Sequence, residues 1–410
     1  MARCGAASWS TSIDSGGMDL ARIRADTPAA DGQAFLYSAG SSLMPDVVVD
    51  TMLEHLRLEQ RLGGYAAADQ EQQRLDAVYD SVAALLNAGR DEIALVENAT
   101  VGWQMAFYAF DWRPGDRIIT GQAEYAANYV AYLQMARRRG VVIDIAPNDP
   151  FGAIDPEALR GMIDDRVKLI SITWVPTNGG LTNPAAAIGR IAREAGIPYL
   201  LDACQAVGQM PVDVGALGCD ILTGTGRKFL RGPRGTGFLY VRRALLLQLE
   251  PPMIDHFAAP WTATSGYTLR PDARRFETWE NNYAGRLGLG AAADYAGAIG
   301  LAAIEIRCRA LANRLRAGLG ALANVTLHDL RKDPSAIVSF SVRDHSVRAV
   351  LAKAAEANIV ISASPPASTR LDSEARGLGF LLRASPHYFN IESEIDRLVE
   401  FCERLGAAKP

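Results

Sequence analysis

The stretch Thr223-Gly-Thr225-Gly-Arg227-Lys228-Phe-Leu-Arg-Gly-Pro-Arg-Gly-Thr-Gly237 sets one lysine between two glycine-rich turns. A hydroxyl stands three residues ahead of it, and arginines lie at 227, 231 and 234. A lysine is costly to bury as a cation, so desolvation lowers its pKa and frees the amine as a nucleophile. An amine held by backbone this tight is suited to a covalent bond with an aldehyde. Taken alone, the same stretch also reads as a solvated basic turn between two strands.

Other polar residues fall at the ends of apolar runs. Asp202 follows Tyr199-Leu-Leu201 and will be desolvated unless a cation or hydrogen-bond donors meet it. A protonated pyridine nitrogen is such a cation, and an aspartate beside it keeps the ring an electron sink. Lys228 and Asp202 together therefore point to pyridoxal 5'-phosphate (PLP), with Lys228 as its Schiff-base lysine. Read by itself, Asp202 is also a helix cap. Thr100, in Glu97-Asn-Ala-Thr100-Val-Gly102, stands before an expected helix over 103–110. There a hydroxyl and free amides can hold a phosphate, or Thr100 can simply cap the helix. Tyr125 can stack on a ring or pack in the core. Thr177-Asn178-Gly-Gly180 forms a polar turn with backbone freedom.

The elements that must position these residues follow from the apolar pattern. Residues 20–86 are mostly helical, interrupted at Ser38–Pro45 and at Gly63-Gly-Tyr65. From Ile93 short apolar runs alternate with amphipathic helices, the signature of crossover units on a mainly parallel sheet. Strands are expected over 93–96, 117–120, 141–145, 168–174, 198–202, 220–222 and 238–241, and helices over 125–139, 155–164 and 185–195. The expected fold class is α/β, with a mainly parallel seven-stranded sheet flanked by helices. Ligands of such sheets bind at the carboxyl ends of the strands, where the polar residues above cluster. Beyond Val241 a loop-rich section holds Trp261 and the run 274–283, followed by helices over 288–300 and 301–322. The texture then changes to strands over 335–342, 358–362 and 381–384 and helices over 347–357 and 391–405, a small C-terminal α+β domain. The domain plan is a disordered extension over 1–19, a lead-in segment over 20–45 that contributes to the small domain, a large domain over 46–300 and the small domain over 301–410.

Composition narrows the function classes. Hydrophobic residues make up 49% and charged residues 21%, ordinary for a globular protein with a real core. A net charge of −4 lacks the basic excess that nucleic acid requires. No apolar run is long enough to span a bilayer. The N-terminal residues are rich in Ser, Gly and Ala without an apolar h-region, so no secretory signal is expected, and Met18 is a second candidate start. The five cysteines show neither metal-ligand spacing nor the density of a disulfide scaffold. A cytoplasmic protein without a metal is the expectation.

With these residues in view, the chain resembles the class V aminotransferase family of fold type I PLP enzymes, which includes the cysteine desulfurases. The likeness runs from the Ser38 loop to the last helix. Asp202-x-x-Gln205 matches the family's pyridine-nitrogen aspartate and the glutamine that meets the cofactor's phenolic oxygen. Thr225-Gly-Arg-Lys228 matches the segment from phosphate-binding hydroxyl to Schiff-base lysine, and Thr100 falls on the phosphate-binding threonine. Tyr125 stands where the family stacks a histidine, Arg227 where a histidine commonly precedes the lysine, and Asn178 is grouped with the cofactor residues. Arg383, in Leu382-Arg-Ala-Ser385, falls on the arginine that grips the substrate carboxylate; from the sequence alone it reads as an edge-strand surface charge. Ser41, Tyr65, Trp261 and 364–369 are the candidate substrate lining. The resemblance also implies a homodimer with shared sites, its partner contribution coming from 276–282. There the family's threonine aligns with Glu280, so that Arg227, or Asn281 of the partner subunit, is the substitute.

Persulfide-forming members carry a cysteine on a mobile loop of the small domain, and Ser362-Ala-Ser-Pro-Pro-Ala-Ser-Thr369 has none. Gly63-Gly-Tyr-Ala66, Arg227-Lys-Phe, Gly232-Pro-Arg-Gly235 and Arg275-Phe-Glu-Thr-Trp279 look most like the branch with hercynylcysteine sulfoxide C–S lyases and isopenicillin N epimerase-like proteins. The expected activity is β-elimination from a cysteine conjugate or its sulfoxide. The alternatives are an epimerase or racemase, a class V aminotransferase and, from another class, a cofactor-free binding protein.

Overall fold

The structure, a computed structural model, describes residues 18–330 and 333–407. Residues 1–17, most of the expected N-terminal extension, lie outside the described residues. Seven strands build the central sheet: β1 (Ile93–Val96), β2 (Arg117–Thr120), β3 (Val142–Ile145), β4 (Val167–Thr173), β5 (Tyr199–Asp202), β6 (Ile221–Thr225) and β7 (Gly237–Val241). Their spatial order is β1-β7-β6-β5-β4-β2-β3. All neighbours are parallel except β7, which runs antiparallel to both β1 and β6. The inner strands β5, β6 and β7 are buried along their whole length, the reason their apolar residues run consecutively rather than alternating.

The helix expected over 103–110 instead spans Ala99–Phe107. Asn98 is its cap: the Asn98 side chain accepts from the Val101 amide at 3.0 Å, so Thr100 sits in the first turn and not at the cap. Close approach of this helix start to the sheet needs a glycine at 237, where a Cβ would lie 2.7 Å from the Ala99 nitrogen. Within the same helix Trp103 stacks on Phe107 with ring centroids 4.7 Å apart, inside a second apolar cluster.

Helices Tyr283–Ile299 and Leu301–Gly320 meet at Gly300, whose φ of 93° turns the chain into the C-terminal unit. Four antiparallel strands follow in the order β8-β9-β11-β10: β8 (Val325–Leu327), β9 (Val338–Val342), β10 (Ser362–Ser364) and β11 (Leu381–Ala384). The single strand expected over 358–362 is in fact two. Ile359–Val360 pairs in parallel with Ala34–Phe35, and the chain then crosses to β11 as β10. The segment before β1 is thereby woven into the C-terminal unit: Tyr37 bridges to Ser385, and the Ser385 amide donates to Leu36 O at 2.8 Å. Among the described residues no single helix is long and apolar enough to cross a membrane.

Candidate active site

The carboxyl ends of β1, β2, β4, β5 and β6 open into one cleft. Thr100, Tyr125, Asp202, Gln205, Thr225, Arg227 and Lys228 all line it. Asp202 and Thr225 end their strands, and the others arrive on the turn just beyond a strand or on the helix that follows, as the crossover topology requires.

The Lys228 turn is tightly braced. Gly226 N donates to Thr236 O at 3.1 Å, Gly232 N to Gly226 O at 2.7 Å, and Arg231 N to Lys228 O at 3.0 Å. Arg231 is left-handed at φ 61° and only 1% exposed. Its guanidinium donates to Leu43 O at 2.8 Å, Thr27 Oγ1 at 2.6 Å and Tyr388 OH at 2.9 Å, anchoring the turn to the N-terminal segment and to the C-terminal unit. Arg227 O accepts from Ser42 N at 2.8 Å, and Arg227 Nη1 donates to Gly40 O. Lys228 Nζ stands 5.9 Å from the centre of the Tyr125 ring. Burial holds the Lys228 ammonium below its ordinary range, with Arg227 and Arg383 acting in the same sense against Cys204 and Asp202. That electrostatic setting favours the neutral amine that attacks an aldehyde.

Asp202 is 5% exposed and ends β5. Its Oδ1 accepts from Cys204 N and its Oδ2 from Asn128 Nδ2, both at 3.0 Å. It has no cationic hydrogen-bond partner among the described residues. Gln205 Nε2 donates to Ala39 O at 3.0 Å, while its buried Oε1 has no partner. Glu124, 4% exposed, lies behind this pair and accepts from Asn128 Nδ2 at 2.8 Å. Burial, reinforced by the Asp202 charge, pushes the Glu124 carboxyl up to about 7.

Arg383 and Asn178 stand beside the cleft lining. Arg383 is no edge residue: β11 lies between β9 and β10, and the side chain is 7% exposed. Its Nη1 donates to Thr177 Oγ1 and, at 3.3 Å, to Thr177 O; its Nε reaches Ser362 Oγ at 3.3 Å. Thr177 itself lines the cleft. Burial pulls Arg383 down to about 10, still a cation at neutral pH. Asn178 Oδ1 accepts from Ser364 Oγ, which knits β10 to the turn after β4. Tyr65 stands apart, 62% exposed, with its hydroxyl 3.4 Å from Glu280 Oε2; Trp261 is 76% exposed on a short hairpin. Sequence reasoning passed over Asn128, Trp103 and Thr173, which also line the cleft. The one available signal was the polar pair Glu124 and Asn128 flanking the start of the helix Ala126–Arg139, just past a strand end.

Four features test whether PLP suits the cleft. Among the described residues, Asp202 is a buried carboxylate with no cationic hydrogen-bond partner, the Gln205 Oε1 acceptor has no partner, and the Lys228 amine makes no hydrogen bond. Fourth, the helix start at Ala99 and Thr100 faces the cleft. A pyridinium, a phenolic O–H that donates, an aldehyde and a phosphate answer these in turn, so the residues present fit the group.

Comparison with known proteins agrees with this geometry. The family profile "Aminotransferase class-V" matches residues 34–398. A cysteine desulfurase of Serratia proteamaculans is 32% identical over 409 residues, covering 94% of this chain and 98% of its own. A probable cysteine desulfurase of Methanothermobacter thermautotrophicus is 29% identical over 394 residues, covering 94% and 97%. The apo structure of a cysteine desulfurase from Thermococcus onnurineus NA1 superposes with a TM-score of 0.87 at 26% identity, over 95% of this chain and 98% of that one. This chain belongs to the class V aminotransferase family of fold type I, PLP-dependent enzymes.

Proposed function

We propose that the protein is a C–S lyase that removes the sulfur substituent from a cysteine conjugate or its sulfoxide by β-elimination. The observation that carries this reading is the segment 362–369, beside the cleft. Residues 362–369 contain no thiol, and Ser362 and Ser364 tie the segment to Arg383 and Asn178 instead. Sulfur leaving the substrate therefore meets no acceptor there and departs with its own substituent.

Thr100, Thr225 and Arg227 would hold the PLP phosphate, Asp202 the ring nitrogen, Gln205 the phenolic oxygen, Tyr125 one ring face and Lys228 the aldehyde carbon. When bound, PLP supplies an electron sink for a carbanion at the substrate Cα. Arg383 binds the α-carboxylate through its planar guanidinium and fixes the Cα–H bond relative to Lys228. Lys228 Nζ, its ammonium destabilised by burial with Arg227 and Arg383 acting in the same sense, takes the Cα proton as the amine. The Cβ–S bond then breaks with its electron pair on sulfur, and the released enamine hydrolyses to pyruvate and ammonia. Tyr125 cannot shuttle protons near neutral pH as histidine does: burial, with the Asp202 charge second, holds its phenol above the ordinary value.

The relatives' names favour a second reading, desulfuration of cysteine to alanine with the sulfur passed to a thiol. Cys204 is the one described cysteine lining the cleft, but burial, followed by the Asp202 charge, pushes its thiol well up and keeps it protonated. Release of pyruvate from S-substituted cysteines, lost in Lys228→Ala together with the cofactor's visible band, is the expected result. Alanine formation with a persulfide mass on Cys204 would favour desulfuration, and α-deuterium exchange without pyruvate would favour epimerisation. The homodimer reading draws support from the exposed Trp261 and Trp279 on the segment after β7, and sedimentation tests it.

A further inference from the structure

Behind Asp202 lies a second buried carboxylate that the reaction above does not use. Glu124 sits on the turn after β2 and collects donors from two strands and a helix start. Thr120 Oγ1 donates at 3.0 Å, Thr173 N at 3.0 Å, Tyr125 N at 2.9 Å and Asn128 Nδ2 at 2.8 Å, with Thr173 Oγ1 also in contact. Asn128 Nδ2 spends its other hydrogen on Asp202 Oδ2 at 3.0 Å. A flipped amide would set its oxygen against two carboxylates, so this orientation is forced.

We propose that Glu124 is a positioning residue for the cofactor. Through the Asn128 amide it fixes the Asp202 carboxylate and stands as a second acid behind it. The assignment rests on the reading of the cleft as a PLP site. With Cys204 N on Oδ1 and Asn128 on Oδ2, the Asp202 carboxylate cannot rotate, and each oxygen keeps a lone pair for a further donor. Once ionised, above about pH 7, the Glu124 carboxylate favours a proton on the ring nitrogen that Asp202 would face. The ionisable groups around Glu124 are Asp202, Tyr125 on the same turn, Tyr132 on the following helix, and Tyr199 at the start of β5. Burial raises all three phenols, so none of them supplies a charge near neutral pH.

The test uses the full chain loaded with PLP, as wild type, Glu124→Gln and Asn128→Ala. Visible absorbance is titrated against pH, and PLP retention is measured by equilibrium dialysis. Loss of the second acid, or of the bridge to it, lowers the pH midpoint of the absorbance change by about one unit, a tenfold change in proton affinity. PLP retention weakens by about the same factor. Asn128→Ala leaves the other donors to Glu124 in place, so it reads the coupling even if Glu124→Gln fails to fold. Midpoints matching a normally titrating wild type overturn the role of Glu124. A wild type that takes up no PLP at Lys228 overturns the reading of the cleft, and the inference with it.

Discussion

Replacing Glu124 by glutamine should remove a titration that makes the folded protein less stable as pH rises. Burial, with the neighbouring Asp202 charge acting in the same sense, moves this carboxyl from 4.5 to about 7. Between those values the folded protein holds a proton that the unfolded chain has already released, so stability falls across the window and is level on either side. A window of that width corresponds to about 3 kcal/mol. The hydrogen bonds from Thr173, Asn128 and Tyr125 pull the other way and are already included in that position. Glutamine does not titrate, so subtracting the variant's stability curve from the wild type's isolates the effect. Asp164, Asp213 and Asp396, held low mainly by hydrogen bonds, and His387, held low by burial, make stability rise with pH, but they are common to both proteins and cancel. Denaturant unfolding from about pH 4 to about pH 8 should show wild type losing about 3 kcal/mol relative to Glu124→Gln. A flat difference curve would show that Glu124 titrates in the folded protein as it does in the unfolded chain, and that burial does not govern it.

Arg383→Lys keeps the charge but loses the planar fork, so KM for amino-acid substrates should rise about tenfold or more with kcat less affected; an unchanged KM refutes carboxylate binding at this position. Gly208 has φ 88°, and a Cβ there would lie 2.3 Å from the backbone of Phe229 and Leu230, immediately after Lys228. Gly208→Ala should therefore cost about 2–4 kcal/mol and weaken PLP uptake, and a melting temperature equal to wild type would refute the contact. Because Arg231 is left-handed, Arg231→Gly should unfold later than Arg231→Ala by about 1 kcal/mol, and the reverse order would contradict that backbone conformation.

The parts of the site legible in the sequence are those that end strands. Asp202 closes an apolar run, Lys228 follows another between glycines, and an α/β sheet gathers such ends by topology alone. Strand limits shift by up to three residues, and the expected elements keep their order along the chain, while short strands such as Ala34–Phe35 and Val325–Leu327 had no expected counterpart. What stayed hidden depends on contacts between distant segments. Asn128 and Trp103 sit within helices and look like core positions; only folding brings Asn128 to Asp202, 74 residues further on. Arg383 carries no local sign of burial, because its cover comes from Thr177, 206 residues upstream. The division of 358–364 into two strands is equally nonlocal, since one half pairs with Ala34–Phe35 and the other with β11.

That pairing has a bearing on the order of assembly. Ala39 N donates to Ser385 Oγ across 346 residues, so the first described segment finds its place only when nearly the whole chain exists. During synthesis the sheet from β1 to β7 can form while Leu36 and its neighbours wait, exposed, for the far end to emerge. A chain halted before Ile359 would leave that waiting strand with an open edge, a template for pairing between molecules. The same late stitch makes the C-terminal unit dependent on residues far outside it. Residues 301–410 expressed alone should fail to fold, and adding a peptide spanning 20–45 should improve their solubility.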